Sequence, residues 1–405
     1  MSRIVLGVAG GIAAYKACLL LRLFTEAGHD VHVVPTANAL SFVGETTWAA
    51  LSGNAVHTSV FADTQEVPHV RLGREADLVV VAPATADLLA RAASGRADDL
   101  LTSVLLTATC PVVMAPSMHT EMWLHPATQA NVATLRSRGV VVLRPAEGRL
   151  TGADSGPGRL PEPADIEASA LACLAGRDAA LRMAAQDLAG QKVVVSAGGT
   201  REALDPVRFV GNSSSGLMGV ALARAAVQRG ADVTLVAANL AVEPPAGVTV
   251  VPVVSTSELA AAMDAHAPNA DLVVMAAAPA DFTPANPSGT KLKKSGDAGL
   301  VMEFTQTTDV LAGLAARRPD GQVVVGFAAE TAADEADLVR LGTDKLARKG
   351  CQLLVLNDVS GGAVFGAPDN RVLLLGASGL RGRAAGSKTS VAHAIVDAAQ
   401  SLRER

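Results

Sequence analysis

An apolar run that leads straight into a paired-glycine turn occurs twice in this chain, and nothing else in the sequence limits its fold as much. Near the start, Ile4-Val5-Leu6 runs into VAGGIAAYKA (8–17), with Gly10 and Gly11 at the turn. Near the middle, Lys192-Val-Val-Val-Ser-Ala runs into Gly198-Gly199-Thr200. A short continuous apolar run of this kind reads as a parallel strand covered on both faces. The segment after the first turn has helical length and stops at Gly28, a glycine placed as a helix terminator. Strand-like runs then alternate with helix-length segments: Arg3–Val8, Asp30–Pro35, Leu78–Ala82, Pro111–Ala115 and Val140–Leu143 in the first half. After the Ala-rich stretch 164–190 the alternation restarts, with runs near Ala231–Val236, Val248–Val253, Leu272–Ala276, Val323–Phe327 and Leu353–Leu356. The pattern predicts two α/β domains, each a doubly wound, Rossmann-like parallel sheet with helices on both faces. They are expected over 1–180 and 188–405, with the boundary near 176–190.

Composition narrows the class. Of 405 residues, 49% are hydrophobic but only 3% aromatic, which suits Ala/Val/Leu-rich layers and not a disordered or disulfide-stapled chain. A formal net charge of −5 offers no broad basic surface, so nucleic acid is not an expected partner. The four cysteines, Cys18, Cys110, Cys173 and Cys351, show no metal-ligand spacing and read as reduced residues of a cytosolic enzyme. Strand residues follow Met1-Ser2-Arg3 directly, so no signal peptide is expected. No apolar run reaches the roughly 18 residues of a membrane span. The expectation is a cytoplasmic protein with no membrane partner.

In such sheets ligands sit beyond the carboxyl ends of the strands, and the unusual residues fall there. The Gly10-Gly11 turn can bring backbone N–H groups against an anion at a helix start; spacing alone leaves a phosphate site and a plain strand-to-helix turn equally open. APATADLLARAASGRADDLLT (82–102) and APSMHTEMW (115–123) each follow a strand, and GRLTGADSGPGRLPE (148–162) is a long glycine-rich loop. His69 stands in VPHVRLGREADL just before the third strand. Singly, each also reads as structure: a solvated histidine, packing methionines, a linker.

Taken in order, GGIAAYK, the P-H-V ahead of A-D-L-V, APATAD, P-x-M-H-x-x-M-W and G-x-G-R-L resemble the flavin-dependent cysteine decarboxylases. The second half resembles their usual fusion partner, through SAGGTREALDPVRF (196–209), GNSSSG (211–216), AAAPADF (276–282), KLKK (291–294), GFAAET (326–331) and DKLARKG (344–350). Nearly the whole chain is therefore similar to the bifunctional decarboxylase–ligase family of coenzyme A biosynthesis. The resemblance implies an N-terminal flavodoxin-like flavoprotein domain and a C-terminal ligase domain. The ligase would join phosphopantothenate to cysteine with CTP and Mg2+ through an acyl-cytidylate; the flavoprotein domain would then decarboxylate the product with FMN. It also implies a homo-oligomer built from trimers, with a dodecamer as the candidate form, because the family's decarboxylase sites form between subunits.

Site residues carry over position by position. For FMN the resemblance implies Gly10, Gly11, Pro83, Ala84, Thr85 and Asp98, the last standing where the family has Asn, and Thr36 is a candidate hydroxyl for the phosphate. His69 matches the family's active-site histidine. In the ligase half, Asn212 matches the residue that holds the acyl-cytidylate. Ser214 and Gly216 open a helix that can bind phosphate. Lys291, Lys345, Lys349, Asp281, Phe327, Asp309 and Val310 match the catalytic or nucleotide positions, while the metal ligands are not assigned. Leu217 and Thr307 depart from the family, where lysine and asparagine are usual.

The largest departure is in the decarboxylase half. Gly152 replaces the loop cysteine that acts as the family's proton donor, and His119 replaces the asparagine of P-x-M-N. Glycine has no proton to give, whereas an imidazole suits acid catalysis near neutrality. His119 is thus the expected replacement acid, with Asp154 or water as the alternative. A nicotinamide enzyme is disfavoured because neither half shows G-x-G-x-x-G followed by an acidic residue. A flavin-binding regulatory subunit with only the ligase active is the remaining rival, and the retained His69 argues against it.

Overall fold

A computed structural model describes residues 1–60, 67–149, 155–293, 300–358 and 369–403. The chain divides into two compact units, Met1–Asp187 and Leu188–Arg405.

In the first unit, β1 (Arg3–Val8), α1 (Ala14–Glu26), β2 (Asp30–Pro35), α2 (Glu45–Ser52), α3 (Pro68–Glu75) and β3 (Leu78–Ala84) follow one another. Then come α4 (Ala86–Ser94), α5 (Leu100–Thr107), β4 (Val112–Pro116), α6 (Thr120–Leu124), α7 (Pro126–Ser137) and β5 (Val141–Val142). A hairpin of β6 (Ala146–Arg149) and β7 (Ser155–Arg159) precedes α8 (Pro163–Ala175) and α9 (Arg177–Ala185). The sheet order is β2-β1-β3-β4-β5, parallel throughout. This is the flavodoxin-like order, with its reversal between β1 and β3. Side chains alternate along β1: Ile4, Leu6 and Val8 enter the core beneath α1 and α8, and Val5 enters the opposite core with Val79 and Val81. Each such side chain buried is worth about 1.5–3 kcal/mol, so both helical layers are held by the same strands.

The second unit opens with β8 (Lys192–Gly198), a small antiparallel pair β9 (Arg201–Ala203) and β10 (Phe209–Gly211), then α10 (Leu217–Gln228), β11 (Asp232–Ala238), β12 (Val248–Val253) and α11 (Thr256–His266). It continues with β13 (Leu272–Met275), a second small pair β14 (Phe282–Pro284) and β15 (Phe304–Gln306), α12 (Val310–Arg317), β16 (Val323–Glu330), α13 (Glu335–Lys349) and β17 (Leu353–Asp358). The chain finishes with β18 (Asp369–Gly376), β19 (Gly379–Ser387) and α14 (Lys388–Arg403). The large sheet runs β12-β11-β8-β13-β16-β17-β18-β19. Its strands from β12 to β17 are parallel, in the classical dinucleotide-fold order reversing between β8 and β13. Beyond β17 the sheet turns antiparallel, an extension the alternation of strands and helices does not predict. No helix among the described residues is long and apolar enough to cross a membrane.

Candidate functional site

Each unit carries a large cavity at its own topological reversal. In the first unit the cavity has a volume of about 1240 Å³, and its walls come from the ends of β1, β2, β3 and β4. Gly10 and Gly11 line it, and Gly10 has no room for a side chain: a Cβ there would lie 2.4 Å from Asn38 Cβ and 2.8 Å from its backbone carbon. Thr36 also lines it, 8% exposed, its hydroxyl accepting from the Ala39 N–H at 3.3 Å. Thr85 caps α4 by accepting from the Leu88 N–H at 3.3 Å. The starts of α1 and α4 therefore face one space, a setting that favours an anion. Pro83 and Ala84 stand behind this wall and do not line the cavity; Ala9 N–H donates to the Pro83 carbonyl and Ser117 N–H to that of Ala84. They fix the strand tip from which Thr85 projects.

The other wall is charged. Arg91 reaches Asp87 at 3.0 Å, Asp98 at 3.0 Å and Asp99 at 2.7 Å, and Arg96 reaches Asp98 at 2.7 Å. Hydrogen bonds from Arg91 hold the Asp98 carboxyl below its ordinary pKa. Burial pushes Asp99 up, but Arg91 and the hydroxyl and N–H of Thr102 outweigh it, and its pKa is lowered. Lys16 pairs with Glu162 at 2.9 Å, and Arg159 shares the same carboxylate. His119 lines the cavity from the N-cap position of α6. The hairpin lies against it: Met118 N–H donates to the Gly158 carbonyl at 2.9 Å, and a Cβ on Gly158 would lie 2.3 Å from the Met118 carbonyl oxygen. Gly152 and Asp154 lie outside the described residues.

One sequence-predicted residue of this half is placed apart. His69, in the first turn of α3, does not line the cavity; its carbonyl accepts from the Thr107 hydroxyl at 2.7 Å, and its buried Nδ1 has no hydrogen-bond partner. None of the four cysteines lines the cavity either. Burial pushes the Cys110 thiol up to about 11 and the Cys173 thiol up to about 12, so these sulfurs stay protonated.

The second cavity, about 690 Å³, lies at the β8/β13 reversal. Asn212, Ser214, Gly216, Asp281, Asp309, Val310, Phe327, Lys345 and Lys349 all line it. Asn212 Nδ2 donates to the Pro279 carbonyl at 2.8 Å. The loop after β13 is pinned by buried hydroxyls: Ala280 N–H donates to Thr200 at 2.8 Å, Thr200 contacts the Thr256 hydroxyl at 2.9 Å, and Thr307 donates to the Ala280 carbonyl at 2.7 Å. Thr307 thus serves the loop backbone. Lys345 pairs with Glu330 at 2.7 Å, and Lys349 with Asp309, which also caps α12. Burial raises the Asp309 pKa, but Lys349 and the Ala312 N–H pull it down further. Lys291 is exposed and does not line the cavity. Its neighbour Leu292 is tied down, donating to Asp205 at 3.1 Å and accepting from Arg208 at 3.0 Å.

Sequence reasoning missed several lining residues. In the first unit these include Lys16, Asn38, Arg91 and Arg159; in the second, Asn357, Asn370 and Lys388. Lys16, Arg91 and Arg159 stood inside quoted motifs, and Asn357 follows the predicted run of β17, whereas Asn370 and Lys388 sit on the unpredicted antiparallel extension and on the helix after it.

The Flavoprotein family model matches residues 1–174, and the model for the DNA/pantothenate metabolism flavoprotein C-terminal domain matches residues 188–402. The coenzyme A biosynthesis bifunctional protein CoaBC of Mycolicibacterium smegmatis is 57% identical over 402 residues, covering 98% of this chain and 96% of the relative. The protein of that name from Bacillus subtilis is 41% identical over 375 residues, covering 92% and 89%. Among solved structures, the crystal structure of the C-terminal domain of a CoaBC protein is 33% identical and covers 54% of this chain and 98% of its own, with a TM-score of 0.45.

Proposed function

The chain belongs to the family of bifunctional coenzyme A biosynthesis proteins, and from that premise we propose how its two cavities divide the work. The enzyme carries a decarboxylase and a ligase activity. The reading of the sites rests on one observation: in each unit, motif residues far apart in sequence meet in a cavity at the sheet reversal.

In the second unit, a carboxylate oxygen of 4'-phosphopantothenate attacks the α-phosphorus of CTP. The bond from that phosphorus to the bridging oxygen breaks, and pyrophosphate leaves with the electron pair. The cysteine amine then attacks the acyl carbon and CMP departs. Both steps develop negative charge, which calls for placed donors. Asn212 holds the acyl-cytidylate, its amide already oriented by the Pro279 carbonyl. Ser214 and Gly216, at the start of α10, take phosphate oxygens. Lys345 and Lys349 take the nucleotide with Phe327, Asp281, Asp309 and Val310. Lys291 acts from the rim on the loop that Asp205 anchors. Among the described residues no cluster of three or more His, Cys, Asp or Glu could hold a metal. Mg2+ fits as an ion held mainly by the phosphates, as that ion prefers.

In the first unit the paired helix starts, the Gly10 cradle and the hydroxyls of Thr36 and Thr85 fit the phosphate of FMN. When bound, FMN supplies the electron sink for oxidising the thiol-bearing carbon, so that the charge left by departing CO2 is delocalised. His119 holds the substrate carboxylate and afterwards returns a proton to the enethiolate carbon. His69, outside the cavity of its own unit, serves the cavity of a neighbouring copy. That assignment accords with the exposed apolar residues Ile12, Tyr15 and Met122 on the cavity wall and with a trimer-based homo-oligomer working in the cytoplasm.

Mass spectrometry of products from phosphopantothenate, cysteine, CTP and Mg2+ tests the whole reading. Phosphopantetheine, CMP, pyrophosphate and CO2 are expected in equal amounts. Phosphopantothenoylcysteine as the end product, with the flavin bound, would instead support a regulatory flavoprotein unit.

A further inference from the structure

His69 is held in place from outside its own helix. α3 is eight residues long, too short to be stable by itself. Its N-cap, Val67, makes no side-chain capping bond and sits at φ 46°, a left-handed conformation that a β-branched residue adopts only under strain. Such a turn persists only where surrounding contacts fix it. The ring does not fix it. A histidine is commonly oriented by a hydrogen bond at one ring nitrogen, but the buried Nδ1 of His69 has no partner. The imidazole therefore goes where the backbone of the first turn of α3 carries it.

That backbone is anchored to α5 by Thr107. The Thr107 hydroxyl donates to the His69 carbonyl at 2.7 Å, although the carbonyls of Ser103 and Val104 in its own helix lie within reach, at 3.2 and 3.1 Å. A threonine inside a helix ordinarily turns its hydroxyl to such a carbonyl one turn back; the shortest contact of this one is with α3. One turn beyond His69, on the same face, Gly73 closes the contact. A Cβ there would lie 2.9 Å from the Thr107 backbone carbon and closer still to the hydroxyl oxygen, so only glycine lets the two helices approach this far. Asp99, at the opposite end of α5, caps that helix and pairs with Arg91 on the cavity wall. One short helix thus carries part of the wall at its start and the anchor of His69 at its end.

We propose that Thr107 is a positioning residue for the decarboxylation: its hydroxyl sets the place from which His69 exchanges a proton with the substrate. This rests on the reading of His69 as an acid–base group of the decarboxylase reaction. Proton transfer needs its two heavy atoms within about 2.6–3.2 Å of each other, and a misplacement of about 1 Å can cost on the order of a hundredfold in rate. Without the Thr107 hydroxyl, the strained start of α3 loses the bond that answers it, and the imidazole loses its fixed place. The groups lining the cavity, which meet flavin and substrate, are unaffected.

CO2 release by the full-length protein, with phosphopantothenoylcysteine supplied directly, tests the proposal in two variants. Thr107→Val keeps the shape of the side chain and removes the donor, whereas Thr107→Ser keeps the donor. Thr107→Val is expected to lose about tenfold or more in kcat, with KM, flavin content and pyrophosphate release by the ligase unit unchanged. Thr107→Ser should restore most of the rate. A normal kcat in Thr107→Val, a loss that Thr107→Ser shares in full, or a loss carried by KM or by flavin content overturns the proposal. His69→Asn tests the reading beneath it and should abolish CO2 release. If that variant decarboxylates normally, the acid–base reading of His69 itself falls, whatever Thr107 does. Should Thr107→Val fail to fold, Thr107→Ala, which removes the hydroxyl and puts nothing in its place, is measured with the same expectations.

Discussion

Two adjacent glycines in the first cavity separate steric need from ligand need. A methyl group on Gly10 would be driven into Asn38, at 2.4 Å from its Cβ and 2.8 Å from its backbone carbon. The second contact is with backbone, so no rotamer change relieves it. A methyl group on Gly11 would meet only Thr85 Cγ2, at an ordinary 3.8 Å. Gly10→Ala is therefore an overpacking change, costing about 1–3 kcal/mol. For a unit of this size each kcal/mol lowers the melting temperature by roughly 2–4 °C, so a fall of about 2–12 °C is expected, along with loss of flavin. Gly11→Ala should melt as the unaltered protein does. It should nevertheless purify with much less FMN, because its methyl group projects into the space where the phosphate would lie against the backbone. Differential scanning fluorimetry and the flavin absorbance per mole of protein measure both. A Gly11→Ala protein with full flavin content and unchanged melting would refute the phosphate cradle. A Gly10→Ala protein of unchanged stability would refute the packing of the turn against Asn38.

Other changes address single groups. Asn212→Asp should leave CTP affinity nearly intact but stop phosphopantothenate-dependent pyrophosphate release, because a carboxylate opposes the charge of the acyl-cytidylate; release at the normal rate would leave Asn212 a purely structural role. His119→Asn should release CO2 at a near-normal rate yet accumulate the oxidised enethiol in place of phosphopantetheine, and saturated product at the normal rate would pass the proton donation to Asp154 or water. Asp99 has a folded pKa below its unfolded value, so its contribution is present above about pH 4 and lost as pH falls through the folded pKa. Asp99→Asn, which keeps an N-cap acceptor for α5 but removes the charge that Arg91 pairs with, should cost up to about 1 kcal/mol at pH 7 and flatten the acid limb of a urea-denaturation series; an unchanged acid limb would show that other carboxylates govern it.

The parallel core was legible because its signal is one-dimensional. Val79-Val80-Val81, Val193-Val194-Val195 and Val323-Val324-Val325 are buried on both faces, so burial alone writes them as unbroken apolar runs. That alternation gives a doubly wound parallel sheet in each unit, but not the order of its strands, which differs between the two. The hairpin of β6 and β7 was not legible: AEGR and SGPGR carry no apolar alternation. It forms where glycine lets backbone lie against Met118. The small pairs β9/β10 and β14/β15 are three residues per strand, too short for any period to show. β18 does contain an apolar run, Val372-Leu373-Leu374-Leu375, yet nothing in it distinguishes an antiparallel neighbour from a parallel one. Missing that extension hid Asn370 and Lys388, since a lysine in G-S-K-T reads as a solvated residue until the fold turns it inward.

If the second cavity takes a nucleoside triphosphate as proposed, Lys345 and Lys349 show how a site can wait for its ligand at little cost. Lys345 and Lys349 are not held ready as free cations; each is paired with a carboxylate of the same unit, Glu330 and Asp309. Such pairs keep long side chains from wandering, yet partly exposed ion pairs are worth only about 0–1 kcal/mol. A triphosphate would bring several charges to groups already positioned, where each carboxylate brings one. Exchange of the carboxylates for phosphate oxygens would then be favourable, and the released carboxylates would lie near the bound anion, where the proposed divalent cation would offset the repulsion. Asp309 cannot leave entirely, because it also caps α12 through the Ala312 N–H. It would stay at the cavity wall in either state, while Lys349 would turn toward the proposed nucleotide. The same residue thereby caps a helix start, holds a lysine and keeps a carboxylate at the cavity wall, so a motif as short as Asp309-Val310 is tied to a cavity built from strands and helices across the whole unit.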